Sequence, residues 1–136
     1  MSATPRTVLV VDDEAPLRRV LERSLSRHGL RVIGAGSAET AYELLATEQP
    51  DALLLDIHLP TMSGLALYLA IVHRWPGYEG RIAIMTGNAE ADEVRIWLER
   101  HQCVVIRKPF NLREVTDWLT AVFQIGEERA QGGAEA

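Results

Sequence analysis

The sequence predicts an α/β fold in which helices cover both faces of a parallel sheet, a doubly wound (βα)₅ arrangement. Short runs of valine, leucine and isoleucine alternate with segments of helical periodicity, and these runs are apolar throughout rather than at every second residue. Strands of this kind pair in parallel through right-handed helical crossovers. A length of 136 residues suits one domain with a single core.

Five apolar runs predict the strands, and we expect each of them to be buried. The runs cover residues 8–11, 32–33, 52–55, 82–85 and 104–106. The first helix follows the first run, where Pro16 suits the first helical turn and Gly29 suits the end. Its predicted inner face comprises Leu17, Val20, Leu21, Ser24 and Leu25.

Serine residues are predicted to cap the second and third helices. Ser37 precedes a helix that ends before Pro50. Ser63 precedes a helix that ends near Arg74, where residues 75–77 close it. The second helix is expected to turn Ala38, Ala41 and Leu45 inward. The third is apolar on nearly all sides, so it either packs unusually deeply or offers a contact surface.

The fourth helix is predicted near residues 90–101, and the fifth begins at Asn111, where Glu114 completes a pairing like a capping box. Their inward residues are expected to be Ala91, Val94 and Leu98 in the fourth helix, and Leu112, Val115, Leu119 and Val122 in the fifth. After residue 124 the chain becomes polar and rich in glycine. We therefore expect one domain over residues 6–124 and a flexible tail or linker stub over residues 125–136.

Charge and composition exclude several classes of function. The chain has 14 Lys plus Arg against 19 Asp plus Glu, so it lacks the basic surface that direct nucleic-acid binding needs. Its apolar stretches are too short to span a membrane, and the first of them is too short for a signal peptide. The single cysteine, Cys103, cannot form an internal disulfide, which fits a reducing, cytoplasmic location.

The ends of the predicted strands carry a selective set of reactive groups. Asp12 and Asp13 follow the first strand, Asp56 follows the third, Thr86 the fourth, and Lys108 comes just after the fifth. Ligands of open parallel sheets bind outside the carboxyl ends of the strands. Three carboxylates, one hydroxyl and one ammonium group are therefore expected to converge there.

Crowded carboxylates repel one another unless a cation neutralises them. Mg²⁺ suits this group because it binds carboxylate oxygens, keeps several waters and takes phosphate oxygens as further ligands, and no Cys or His cluster indicates zinc. Lys108 is the only lysine in the chain, so a compact ammonium at this edge indicates a function. In the simplest alternative, Asp12 and Asp13 are charges that interact with a helix dipole.

Four motifs at these strand ends resemble the receiver domain of two-component response regulators. They are residues 8–14 (VLVVDDE), 53–64 (LLLDIHLPTMSG), 85–87 (MTG) and 107–110 (RKPF). The resemblance covers about residues 6–124. It implies a flavodoxin-like fold with strand order 2-1-3-4-5, and a cytoplasmic signalling module that catalyses only its own phosphorylation and dephosphorylation.

The resemblance also implies a role for each site residue. Asp56 accepts a phosphoryl group from a histidine kinase or a phosphotransfer protein. The implied Mg²⁺ ligands are Asp12, Asp13, Asp56 and the backbone carbonyl of His58. Lys108 pairs with the phosphoryl group, Thr86 forms a hydrogen bond to it, and the Lys108–Pro109 bond is cis.

Transmission of the signal is expected to depart from the usual receiver pattern. Receivers commonly carry Tyr, Phe or His three residues before the lysine, whereas this chain has Val105, which argues against coupling of Thr86 to an aromatic ring. We expect residues 87–89 to transmit the change to the fourth helix instead. The implied contact surface for an output protein or domain is the fourth helix, fifth strand and fifth helix, with Trp97 and Arg107. The same face would suit a homodimer.

Two alternative functions remain open from the sequence. A pseudo-receiver would bind partners without phosphorylation, and Val105 favours this. A small phosphohydrolase similar to haloacid dehalogenases would use an aspartyl nucleophile, which residues 12–14 partly mimic, but the cap domain and late acidic pair of such enzymes are missing. Pro60 and Gly64 are interpreted as loop geometry without a chemical role. His58 and Asn88 flank the expected path of an attacking water, and we expect His58 to shield the acyl phosphate.

Overall fold

A computed structural model describes residues 5–87 and 92–135 and contains five strands and five α-helices in alternation. The strands are β1 Thr7–Val11, β2 Arg31–Ala35, β3 Ala52–Asp56, β4 Ile82–Thr86 and β5 Val104–Arg107. The α-helices are α1 Ala15–Ser26, α2 Ala38–Glu48, α3 Gly64–Arg74, α4 Asp92–His101 and α5 Leu112–Glu135, and a short 3₁₀ helix covers Pro76–Tyr78. The five predicted strand positions are confirmed.

All strand pairs are parallel, and the order β2-β1-β3-β4-β5 is the predicted one. The expectation that every strand is buried holds for β1, β3 and β4 but is wrong for the outer two. Several residues of β2 and β5 are partly or fully exposed. The reason is position, because each of these strands lies at an edge of the sheet.

The core has two layers, one on each face of the sheet. Leu9, Leu53 and Ile84 point to the face covered by α2, α3 and α4, and the residues beside them along the strands point to the face covered by α1 and α5. This alternation follows from the two-residue period of a strand. The continuous apolar runs in the sequence therefore supply both layers.

The predicted helix caps are present. The amide of Thr40 donates to the Ser37 hydroxyl at 3.2 Å, that of Leu65 donates to the Ser63 hydroxyl at 3.1 Å, and the Glu114 amide donates to the Asn111 side chain at 3.0 Å. Each cap satisfies a backbone donor that the first helical turn leaves open.

The burial of α1 and α3 differs in part from the predicted helix faces. Leu21 and Leu25 of α1 are buried as expected, but Val20 is 51% exposed, because one residue turns a helix by about 100° and places Val20 at the margin of the face that contains Leu21. In the third helix, Leu67 and Ile71 are buried while Leu69 is exposed, so its apolar side chains are divided between the core and the solvent. Ala91, like Asn88, lies outside the described residues.

The C-terminal segment has a helical backbone. The backbone of α5 continues to Glu135 rather than ending near residue 124. The sequence after 124 contains no proline, and residues 127–131 are good helix formers, so local propensity favours a continuous helical backbone there. Within the described residues, no helix is both long and apolar enough to cross a membrane.

Candidate functional site

The polar groups predicted at the strand ends do meet at one edge of the sheet. Asp12 follows β1, Asp56 ends β3 and Thr86 ends β4, and all three are buried. Lys108 follows β5 and reaches towards the middle of the sheet. Buried carboxylates are rare unless they are paired, so we expect Asp12 and Asp56 to have cationic or hydrogen-bonding partners at this edge.

Lys108 connects the two buried carboxylates. Its Nζ lies 2.7 Å from Asp12 Oδ2 and 3.3 Å from Asp56 Oδ2. The backbone of Lys108 is held as well, because its amide donates to the Thr86 carbonyl at 2.9 Å and its bond to Pro109 is cis. One ammonium group therefore balances part of the charge of two strand ends that are 44 residues apart.

Backbone donors complete the environment of the two carboxylates. The amide of Glu14 donates to Asp12 Oδ1 at 2.9 Å, and the amide of His58 donates to Asp56 Oδ1 at 3.2 Å. The Asp12 amide donates to the carbonyl of Ala35 at 3.0 Å, which ties the loop after β1 to the end of β2. Both carboxylates are thus held in one orientation.

Lys108 does not fully neutralise the negative charge of Asp12 and Asp56. Burial, followed by the negative charge of Asp12, raises the pKa of Asp56 against the opposing effects of the His58 amide and Lys108. Burial lowers the pKa of Lys108, but its contacts with Asp12 and Asp56 outweigh that effect and raise the pKa overall. Lys108 therefore stays charged, while Asp56 carries a charge that a further cation would stabilise.

A third carboxylate makes the site suitable for a divalent cation. Carboxylate oxygens of Asp12, Asp13 and Asp56 lie within 4.8 Å of one another, and Asp13 is exposed. Ligands about 2.1 Å from an octahedral Mg²⁺ lie roughly 3–4 Å apart, so modest rotations of these side chains would bring them into range. The donor set is all oxygen, with an open side for waters and a phosphate oxygen, and it fits Mg²⁺.

Gly64 is a residue whose importance the sequence interpretation missed. Its amide donates to the Ile57 carbonyl at 2.7 Å, and a Cβ at this position would overlap the carbonyl oxygen of Asp56. Only a residue without a side chain allows α3 to begin this close to the end of β3. A glycine placed directly after a helix cap, where it is a poor helix former, was the available signal.

The residues expected to transmit a signal lie on β4, β5 and α4. Thr86 is paired in register with Arg107, which is exposed, and Val105 is half-buried against the layer of α3 and α4. Trp97 of α4 contacts Tyr68 of α3 edge to face, with ring centres 5.3 Å apart. A groove of about 650 Å³ separates the loop after β3 from α4 and includes Trp97.

Comparisons of the sequence with known proteins converge on one family. The family model of the response regulator receiver domain matches residues 8–120. The DNA-binding transcriptional regulator NtrC of Proteus hauseri is 32% identical over 129 residues, which cover 94% of this chain and 27% of NtrC. The phosphate regulon transcriptional regulatory protein PhoB of Pseudomonas aeruginosa is 32% identical over 119 residues, which cover 88% of this chain and 52% of PhoB. The chain thus spans about a quarter to a half of the length of these relatives.

Solved structures show the same fold. A signal receiver domain of an HD domain-containing protein from Pseudomonas fluorescens matches with a TM-score of 0.81 at 21% identity, over 92% of this chain and 99% of that one. The non-phosphorylated HemR receiver domain of Leptospira biflexa matches with a TM-score of 0.74 at 28% identity, over 86% of this chain and 93% of that one.

Proposed function

The chain belongs to the response regulator receiver domain family, and we propose that it is a Mg²⁺-dependent phosphoacceptor in which Asp56 receives the phosphoryl group. One observation carries this proposal: Lys108 bridges Asp12 and Asp56 in a buried cluster whose third carboxylate, Asp13, faces solvent. The donor of the group is proposed to be a phosphohistidine on a histidine kinase or a phosphotransfer protein.

The chemistry of the transfer requires little beyond positioning and charge neutralisation. A carboxylate oxygen of Asp56 forms a bond to phosphorus while the bond from phosphorus to the donor imidazole nitrogen breaks, and the electron pair of that bond returns to the imidazole. The product is an acyl phosphate on Asp56. Asp12, Asp13, Asp56 and the His58 carbonyl would hold Mg²⁺, which when bound neutralises negative charge on the phosphoryl oxygens.

Lys108 and Thr86 have separate parts in this proposal. The ammonium of Lys108 lies between two carboxylates, so it is already close to Asp56 and can contact a phosphoryl oxygen bonded to that residue. Thr86 ends the neighbouring strand β4, from which its hydroxyl can donate to another phosphoryl oxygen. A buried site makes both interactions stronger than they would be in water.

The proposed output surface is the face formed by α4, β5 and α5. Ile96 of α4 is 54% exposed and Val104 of β5 is 42% exposed, so this face offers apolar side chains that a partner can cover. A downstream output protein or domain, or a second copy of this chain, would cover them. A cytoplasmic location, where such partners are found, is part of the same proposal.

Phosphorylation with a small-molecule donor tests the central claim. Wild-type protein incubated with acetyl phosphate and Mg²⁺ should gain one phosphoryl group by intact mass, Asp56→Asn should gain none, and the exposed-residue control Asp117→Asn should behave as wild type. Labelling that survives Asp56→Asn would place the acceptor elsewhere. Absence of labelling in the wild type would favour the pseudo-receiver, for which Val105 is the supporting observation, and continuous turnover of a phosphate ester would favour a phosphohydrolase.

A further inference from the structure

The loop after β1 carries two of the proposed Mg²⁺ ligands, and one arginine holds its backbone. Nη1 of Arg18, on α1, donates to the backbone carbonyl of Asp12 at 2.6 Å. The hydrogen bond is short because the donor is charged. The carbonyl it contacts belongs to the peptide bond between Asp12 and Asp13, so its orientation also sets the direction in which the Asp13 side chain leaves the chain.

This contact closes a ring of hydrogen bonds at the start of α1. The Asp12 carboxylate accepts the Glu14 amide at 2.9 Å, the Glu14 carbonyl accepts the Arg18 amide at 3.1 Å, and the Arg18 side chain returns to the Asp12 carbonyl. The side chain of Glu14 provides no helix cap. The first turn of α1 and the loop with the acidic pair are therefore held by the same set of contacts.

The neighbouring strand leaves room for the arginine. A Cβ at Gly34 would lie 3.3 Å from Arg18 Cδ, and a Cβ at Gly36 would lie 3.2 Å from Arg18 Nη1. Neither glycine has a positive φ, so neither is required by its backbone conformation. Arg18 occupies the space beside Gly36, whereas the space beside Gly34 is shared with Glu22, whose Oε1 would lie 2.8 Å from a Cβ there. Between these two glycines, the Ala35 carbonyl accepts the Asp12 amide.

We propose that Arg18 is a positioning residue for the Mg²⁺ site. It orients the Asp12–Asp13 peptide so that both carboxylates face the cation, and Arg18 itself does not contact the cation. The proposal rests on the proposed function only in assigning Mg²⁺ to this cluster. Groups that orient metal ligands from outside commonly change metal affinity by about 10–100-fold when they are removed. Because Arg18 holds a peptide rather than a carboxylate, the lower end of that range applies.

The test compares Mg²⁺ binding by Arg18→Met and by the exposed neighbour control Arg19→Met, with calorimetry on the full chain. Methionine keeps a long stem and removes the donors. We expect the dissociation constant to rise roughly tenfold in Arg18→Met and to stay at the wild-type value in Arg19→Met. Equal values in the two variants would overturn the proposal, as would a loss of folding stability in Arg18→Met with unchanged Mg²⁺ affinity.

A second variant keeps the test decisive if Arg18→Met fails to fold. Gly36→Ala should press on Nη1 and weaken Mg²⁺ binding by a smaller factor, whereas Gly77→Ala, which meets no atom within 4 Å, should not. If Arg18→Met does fold, adding Gly36→Ala to it should cause no further loss of Mg²⁺ affinity. Additive losses of Mg²⁺ affinity in the double variant would contradict the assignment.

Phosphorylation kinetics separate this proposal from the proposed function. In Arg18→Met the Mg²⁺ concentration for half-maximal labelling by acetyl phosphate should rise, while the rate at saturating Mg²⁺ stays close to wild type. Failure of the wild type to label would refute the phosphoacceptor role and leave the calorimetric result valid. A large fall in the saturated rate with unchanged half-saturation would refute the positioning role.

Discussion

Gly64→Ala is expected to destabilise the protein through the backbone beneath the acceptor. The added Cβ would overlap the Asp56 carbonyl oxygen and would lie 2.8 Å from both the Asp56 carbonyl carbon and the Ile57 Cα. All three atoms belong to the backbone at the end of β3, so no side chain can rotate to relieve the clash. Either α3 or the strand end must move.

The expected cost follows from these contacts. Overpacking of a filled interior costs about 1–3 kcal/mol, and backbone obstruction places this substitution in the upper half of that range. The helical preference of alanine over glycine returns at most about 1 kcal/mol, and less at the first residue of a helix. A net loss of about 2 kcal/mol corresponds to a fall in Tm of roughly 6–10 °C for a chain of this length.

Urea unfolding in a chelator measures the effect without any contribution from bound metal. Gly77→Ala is the matched control, because a Cβ there meets no atom within 4 Å and its φ is not positive. Since the displaced backbone carries Asp56, the Mg²⁺ dissociation constant of Gly64→Ala should also rise. If the two glycine variants unfold with free energies within about 0.5 kcal/mol of each other, the packing argument is wrong.

Further predictions concern charge, lifetime and transmission. Because burial and Asp12 raise the pKa of Asp56, this group contributes stability that is lost as pH rises through its folded-state pKa, so Asp56→Asn should be more stable than wild type at pH 7 in a chelator. That difference should shrink towards pH 4 in urea titrations, and a difference that grows on acidification would contradict the assigned sign. Lys108→Met should remove the cation between two buried carboxylates and lower the free energy of unfolding at pH 7 by about 3 kcal/mol, and a loss below 1 kcal/mol would show that the pair is already hydrated. His58→Ala should lose the acyl phosphate faster than wild type, as followed by intact mass over time, and an equal rate would remove the shielding role. Beryllofluoride, a mimic of the acyl phosphate, should change hydrogen exchange in α4, whereas changes confined to the acceptor pocket would favour a pseudo-receiver.

Most of the fold was predictable because its signals are local and repeated. Each strand is a short apolar run, and the caps at Ser37, Ser63 and Asn111 follow directly from side-chain chemistry at helix starts. Parallel pairing then brings the carboxyl ends of the strands to one edge. This is why Asp12, Asp56 and the other strand-end groups could be assigned to one site before any distance was known.

The errors share a different physical origin. Val20 has the periodicity of an inner-face residue, but the exposure of a residue at the margin of that face depends on how α1 packs against its neighbours. The partial exposure of β2 and β5 depends on their position in the strand order.

The sequence by itself determined the doubly wound fold, the edge at which the reactive groups gather and the identity of those groups, since periodicity and strand-end position require no knowledge of distance. Only the tertiary structure decided that Lys108 lies between Asp12 and Asp56. It also decided that Gly64 must lack a side chain and that Arg18 passes Gly36 to reach the Asp12 carbonyl. Whether the sequence separation is long, as for Lys108, or short, as for Arg18 and Gly64, these distances depend on the packing of whole helices against the sheet, which no local pattern encodes.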